Sequence, residues 1–201
     1  MKAFAWILLV VLVAALVVYI AVKGKKNPKK ISTRMICECA LLIALEIVLN
    51  RFASFQVLGL KFGLSFIPMA LAGMLFGPAW AAVCYGISDV VGALVFPVGA
   101  YFPGFTISVV LMGIVYGVFF YKKDKIRMFP ETVIPAVINT CILGLLLKTL
   151  WMTVLYTSKG FSGWLLYRLP QEAGLLILHI VLTPLIGKLA EALRKAGLAE
   201  S

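Results

Sequence analysis

Asp89, in "CYGISDVVGALVF", lies in the middle of a long apolar run, where an ionised side chain is costly. Such a charge costs several kcal/mol in hydrocarbon unless it is paired or hydrated. Aspartate is too short to reach an interface, so Asp89 is expected to face a cavity or a partner. Glu46, in "LLIALEIVLNRF", and Lys148, in "LLLKTLWM", stand near the ends of two other apolar runs. Lysine can extend its stem to water, and Lys148 is placed to do so. Arg51, followed by Phe52, and Arg168, preceded by Tyr167, form a candidate anion-recognition pair with Glu172 as the one nearby acid. Guanidinium suits a carboxylate because its planar fork donates two parallel hydrogen bonds.

Aromatic residues gather around the same groups. The stretch "VFPVGAYFPGFT", Val95 to Thr106, holds Tyr101, Phe102 and Phe105 between prolines and glycines and carries no charge. Proline stiffens such a connection, and glycine lets backbone come close to a neighbour. With Phe52 and Trp151, these rings are expected to wall a site for a flat, polar, anionic ligand.

Catalytic signatures are scarce. The chain has no HExxH, no suggestive Ser–His spacing and no phosphate-binding loop. His179 is a lone histidine in an apolar run, and Cys37, Cys39, Cys84 and Cys141 form no CxxC pair. No metal, cofactor or nucleotide site is expected. A membrane-embedded enzyme built on Asp89 and His179 is the rival reading.

The elements that must position these residues are membrane helices. Of 201 residues, 63% are hydrophobic, too many for one soluble core. The expected fold is an all-α integral membrane protein. Apolar spans fall at about Met35–Leu49, Phe62–Phe76, Ala79–Phe96, Phe102–Tyr121, Thr132–Tyr156 and Glu172–Leu193, preceded by Ala3–Val22. Threading them puts "KKDKIR" and "KLAEALRK" on the same side as the basic run after Val22. The net charge of +11 is therefore assigned to the positive-inside bias rather than to nucleic acid. The run "YIAVKGKKNPKK" lacks a cleavage-site pattern, which favours an uncleaved anchor over a signal peptide. Pro68 is expected to kink its span and keep it inside the bundle. Gly73 with Gly77 and Gly113 with Gly117 are expected at close helix crossings.

The run Asn50–Thr106, above all "LSFIPMALAGMLFGP" and "FPVGAYFPGFT", resembles the folate-specific S components of energy-coupling factor (ECF) transporters. "LLLKTLWMTVLY" and "YRLPQE" are similar too. The likeness covers residues 31–201, leaving 1–30 as an anchor helix and basic linker. It implies a six-helix bundle in the bacterial plasma membrane that binds folate or a related pterin. It implies partners as well: a transmembrane coupling subunit and two ATPases that hydrolyse ATP on its behalf. Ala40 and Ala44, in "CALLIAL", match the AxxxA contact of that family with the coupling subunit. Asp89 would accept the adjacent ring N–H and amino donors of a pterin. Arg51 and Arg168 would meet the glutamyl carboxylates. An S component for another vitamin is the alternative within the class.

Overall fold

In the computed structural model the described residues are 5–16, 32–57, 60–97, 99–123, 126, 131–156 and 160–197. Helix α1 (Ala5–Leu16) is short and apolar; the rest of the Ala3–Val22 span and the basic linker fall outside the described residues. Next come α2 (Thr33–Arg51) and a hairpin of two short strands, β1 (Phe55–Val57) and β2 (Leu60–Phe62). The strands are antiparallel, with Phe55 opposite Phe62. Then follow α3 (Phe66–Phe76), α4 (Pro78–Val95), α5 (Pro103–Phe120), α6 (Val133–Leu155) and α7 (Gly160–Lys195). Pro78 and Pro103 open their helices, where the missing N–H has no helical partner to lose and the ring presets φ.

Among the described residues four helices, α4 to α7, are long and apolar enough to cross a membrane. Helix α2 is nineteen residues long but carries Arg34, Glu38, Glu46 and Arg51. Helix α3, at eleven residues, is too short to cross alone, and it is the core: every residue but Ile67 is buried. Its inside position was expected, but for a different reason. Pro68 is the third helical residue, so its missing N–H lies in the first turn, where donors are unpaired anyway. It removes no helical hydrogen bond there. The other departures sit at the ends. The hairpin takes Phe62, the residue assigned to the start of the second span, and α3 begins only at Phe66. Helix α7 begins at Gly160, not near Glu172, and continues through Pro170 and Pro184 for 36 residues. At 1.5 Å per residue that is roughly 54 Å, well beyond a hydrocarbon core of roughly 30 Å.

Small residues set how closely α3, α4 and α5 approach. A Cβ on Gly73 would lie 2.9 Å from the Gly117 nitrogen, and one on Gly113 would lie 2.6 Å from the Tyr85 ring. One on Gly117 would overlap the Pro78 backbone. Backbone cannot rotate away as a side chain can, so Gly117→Ala is expected to lower stability by about 1–3 kcal/mol. A thermal unfolding midpoint in detergent that does not fall would show that the crossing tolerates the methyl group.

The two ends of the bundle differ. At one end Arg194 donates to the carbonyls of Met74 and Lys123, and Lys123 pairs with Glu131 at 3.3 Å. At the other end Phe52 meets Phe96 edge-on at 5.2 Å, and the Arg51 guanidinium lies against Gly92. The hairpin joins α2 to α3 at this second end.

Helix α6 changes its winding. From Ile138 to Leu147 it is π-helical, and the Lys148 N–H reaches back to Leu143, five residues earlier. Each turn there takes in more residues than an α-turn.

Candidate functional site

A cavity of about 200 Å³ opens between the helices in the half of the bundle nearer the hairpin. Every helix from α2 to α7 contributes to its wall. Glu46, Asp89, Lys148, Arg168 and Glu172 supply charge; Tyr85, Tyr116, Phe66 and His179 supply rings; Asn139 and Thr140 supply neutral polar groups.

Asp89 is held from one side. Thr106 Oγ1 donates to Asp89 Oδ2 at 2.6 Å. The threonine has a single hydroxyl proton, so the 2.7 Å contact between Tyr101 and Thr106 must be donated by the Tyr101 hydroxyl. This chain fixes the carboxylate and leaves Oδ1 without a hydrogen-bond partner among the described residues.

Arg168 and Glu172, one turn apart on α7, form a buried ion pair at 2.6 Å. Arg168 Nη1 also donates to the Gly144 carbonyl at 3.0 Å and to Thr149 Oγ1 at 3.3 Å. Glycine at 144 is required by the pair, since a Cβ would stand 2.5 Å from Glu172 Oε2. Across the cavity, Asn50 donates to buried Glu46 at 2.9 Å. The His179 ring stacks on Phe66 with centroids 4.1 Å apart, and its Nδ1 lies 2.7 Å from the Tyr116 hydroxyl.

Of the residues expected from the sequence, Asp89 and Arg168 line the cavity. Tyr101 does not line it but supports Asp89 through Thr106. Phe102, Phe105 and Trp151 do not line it either. They form a separate dry cluster with Ile107, closed by Ala5 and Leu9 of α1. Trp6 meets Phe102 edge-on at 5.5 Å, and Trp151 donates to Ser108 at 2.9 Å. The apolar rings turn there because α1 offers them an apolar cover, and Gly104 leaves room for both Phe102 and Trp151. The "GAYFPGF" stretch is thus a brace behind the wall, not its inner surface. Phe52 is 67% exposed against Phe96. Arg51 lies outside the lining, with a buried Nε that lacks a partner.

Lys148 corrects the sequence reading in the other direction. It does not snorkel away; it lines the cavity. From sequence, Glu46 was singled out only as an intramembrane acid and His179 only in the rival enzyme reading, and Tyr116 and Asn139 were not singled out. The intramembrane acid at 46 and the amide at 139 were the available signals. Ala40 and Ala44 lie one turn apart on α2, both exposed, while Met35, Cys39 and Glu46 of that helix are buried.

A membrane bundle with a charged, ring-lined cavity toward one end has the form of a protein that captures a small polar ligand. Comparison with known proteins makes the class specific. The profile of the family described as "ECF transporter, substrate-specific component" matches residues 34–187. The protein called "Folate transporter FolT" of Clostridium novyi (strain NT) is 41% identical over 143 residues, covering 71% of this chain and 81% of that one. The protein of the same name from Leuconostoc mesenteroides is 29% identical over 144 residues, covering 71% and 76%. A crystal structure of FolT bound with folic acid superposes with a TM-score of 0.71 at 33% identity, covering 79% of this chain and 94% of that one. The chain belongs to the family of ECF transporter substrate-specific components. It is a membrane transport component rather than an enzyme, so His179 is a wall residue and not half of a catalytic pair.

Proposed function

We propose that this chain is the folate-binding subunit of an ECF-type vitamin importer in the bacterial plasma membrane. The observation that carries this is the cavity: an oriented carboxylate, Asp89, with one free oxygen, beside aromatic walls, in a chain whose relatives bear the name folate transporter. The adjacent ring N–H and amino donors of a pterin suit that carboxylate. The cavity, at about 200 Å³, is below the roughly 300–1,000 Å³ of sites that enclose a drug-sized ligand. It suits the ring end of folate, with the glutamyl tail directed toward the hairpin end. Arg168 is engaged by Glu172, so Arg51, with its unpartnered Nε, is the better candidate for the tail carboxylates. Helix α1 serves as an anchor outside the six-helix unit, in keeping with its exposed Trp6, Ile7, Val10 and Val11.

Delivery of the ligand requires a transmembrane coupling subunit and two ATPases, and Ala40 and Ala44 are proposed to meet the former. Their exposure on one face of α2 favours this. Ala44→Trp is expected to abolish folate uptake in cells that hold the partner subunits, yet leave folate binding by the purified chain unchanged. Overpacking an interface costs about 1–3 kcal/mol. Normal uptake by this variant would move the docking face elsewhere.

A further inference from the structure

Asn139 and Lys148 are two polar residues of α6 that both line the cavity. Asn139 is 0% exposed, and its amide nitrogen and oxygen make no hydrogen bond of normal geometry; the Tyr116 hydroxyl beside it is already engaged with His179 Nδ1 at 2.7 Å. Lys148 makes no hydrogen bond or ion pair among the described residues, although it lines a cavity that also holds Glu46, Asp89 and Glu172. A buried polar group left unpaired is destabilising, and native proteins rarely keep one without cause. The neighbouring charges, by contrast, are partnered: Glu46 by Asn50, Asp89 by Thr106, and Arg168 with Glu172 by each other.

The two residues are nine positions apart on α6. In an α-helix nine residues make two and a half turns at 3.6 per turn, which sends the side chains to opposite faces. In a π-helix, at about 4.4 residues per turn, nine residues make about two whole turns. The π-helical segment Ile138–Leu147 spans nearly the whole interval. It therefore aligns Asn139, Gly144 and Lys148 in one column along the cavity. Gly144 fits the alignment: a Cβ there would stand 2.5 Å from Glu172 Oε2, and its carbonyl accepts from Arg168 Nη1.

We infer that the π-helical winding of α6 is a ligand-reading device: it brings Asn139 and Lys148 into one cavity, where both are completed by the bound ligand. This rests on the folate reading of the cavity. Lysine can only donate, so it takes an acceptor of the ligand, a carbonyl or carboxylate oxygen or a ring nitrogen. The asparagine amide both donates and accepts, so it takes a neighbouring donor–acceptor pair such as a heteroaromatic ring edge presents. Asp89, on α4, takes donors only. The three together describe a ligand with donors on one edge and acceptors on another.

The test is folic acid binding by the full-length chain purified in detergent, with the thermal unfolding midpoint of the ligand-free protein measured alongside. Asn139→Leu and Lys148→Met are each expected to weaken folic acid by about tenfold or more, the loss of a buried hydrogen bond to the ligand. Asn139→Leu should leave the ligand-free midpoint unchanged or raise it, because a buried unsatisfied amide has been removed; Lys148→Met should leave it unchanged, because that half-buried amine makes no hydrogen bond or ion pair among the described residues. Lys148→Arg should recover part of the affinity. A purely structural role for either residue would give the opposite pattern, a lower midpoint with unaltered affinity, and would overturn the inference. So would wild-type affinity in either variant, since the register argument needs both. Wild-type protein that fails to bind folic acid would instead remove the folate reading on which the inference stands.

Discussion

Arg168→Met is expected to be the most damaging single substitution in the cavity. It strips the partner from Glu172, a carboxylate with only 7% of its side chain exposed, and removes the donors to the Gly144 carbonyl and Thr149. Breaking a buried ion pair by removing one member costs about 3–5 kcal/mol, whereas replacing both members with apolar groups is often neutral. The double variant Arg168→Met/Glu172→Leu should accordingly regain most of the lost stability. Thermal midpoints of the three proteins in detergent decide the matter. A single variant as stable as the parent would mean that Glu172 finds water or another cation, and that the pair does not hold α7 against α6.

Asp89→Asn is expected to weaken folate at least tenfold while the protein still folds. The substitution keeps the size but exchanges one acceptor oxygen for a donor, which then opposes a donor of the ligand. A tenfold loss needs only about 1.4 kcal/mol, and leaving a buried group wrongly paired costs about 1–3 kcal/mol. Folding should survive because the support of Asp89 is local, one hydrogen bond from Thr106, itself held by Tyr101. Isothermal titration with folate checks this. A folded variant with parental affinity would reduce Asp89 to a tie between α4 and α5.

The helices and the cavity were legible in the sequence to different degrees. Long apolar runs gave α4, α5 and α6 nearly to the residue, because burial in lipid leaves the backbone no alternative to a helix. Asp89 was legible for the same reason, as a charge too short to escape. Arg168 and Glu172 stand four apart, the spacing of a helical ion pair, yet Glu172 was read as the start of a span. The continuation of α7 through two prolines is a tertiary effect: the helix is held by its packing. The aromatic stretch misled because a ring has no sequence mark telling which way it turns. Phe102 and Trp151 turned toward α1, a helix outside the six-helix pattern. Lys148 and Asn139 could not have been paired from sequence, because at α-helical periodicity they fall on opposite faces. The π-helical winding that joins them leaves no signature in "INTCILGLLL".

The most direct measurement is equilibrium binding of folic acid to the purified full-length chain, without partner subunits or ATP, followed by recovery of the ligand. The expected result is saturable binding of one folate per chain, competed by other pterins and not by unrelated vitamins, with the folate recovered chemically unchanged. Absence of folate binding by folded protein, or preferential binding of a vitamin without a pterin ring, would contradict the assignment.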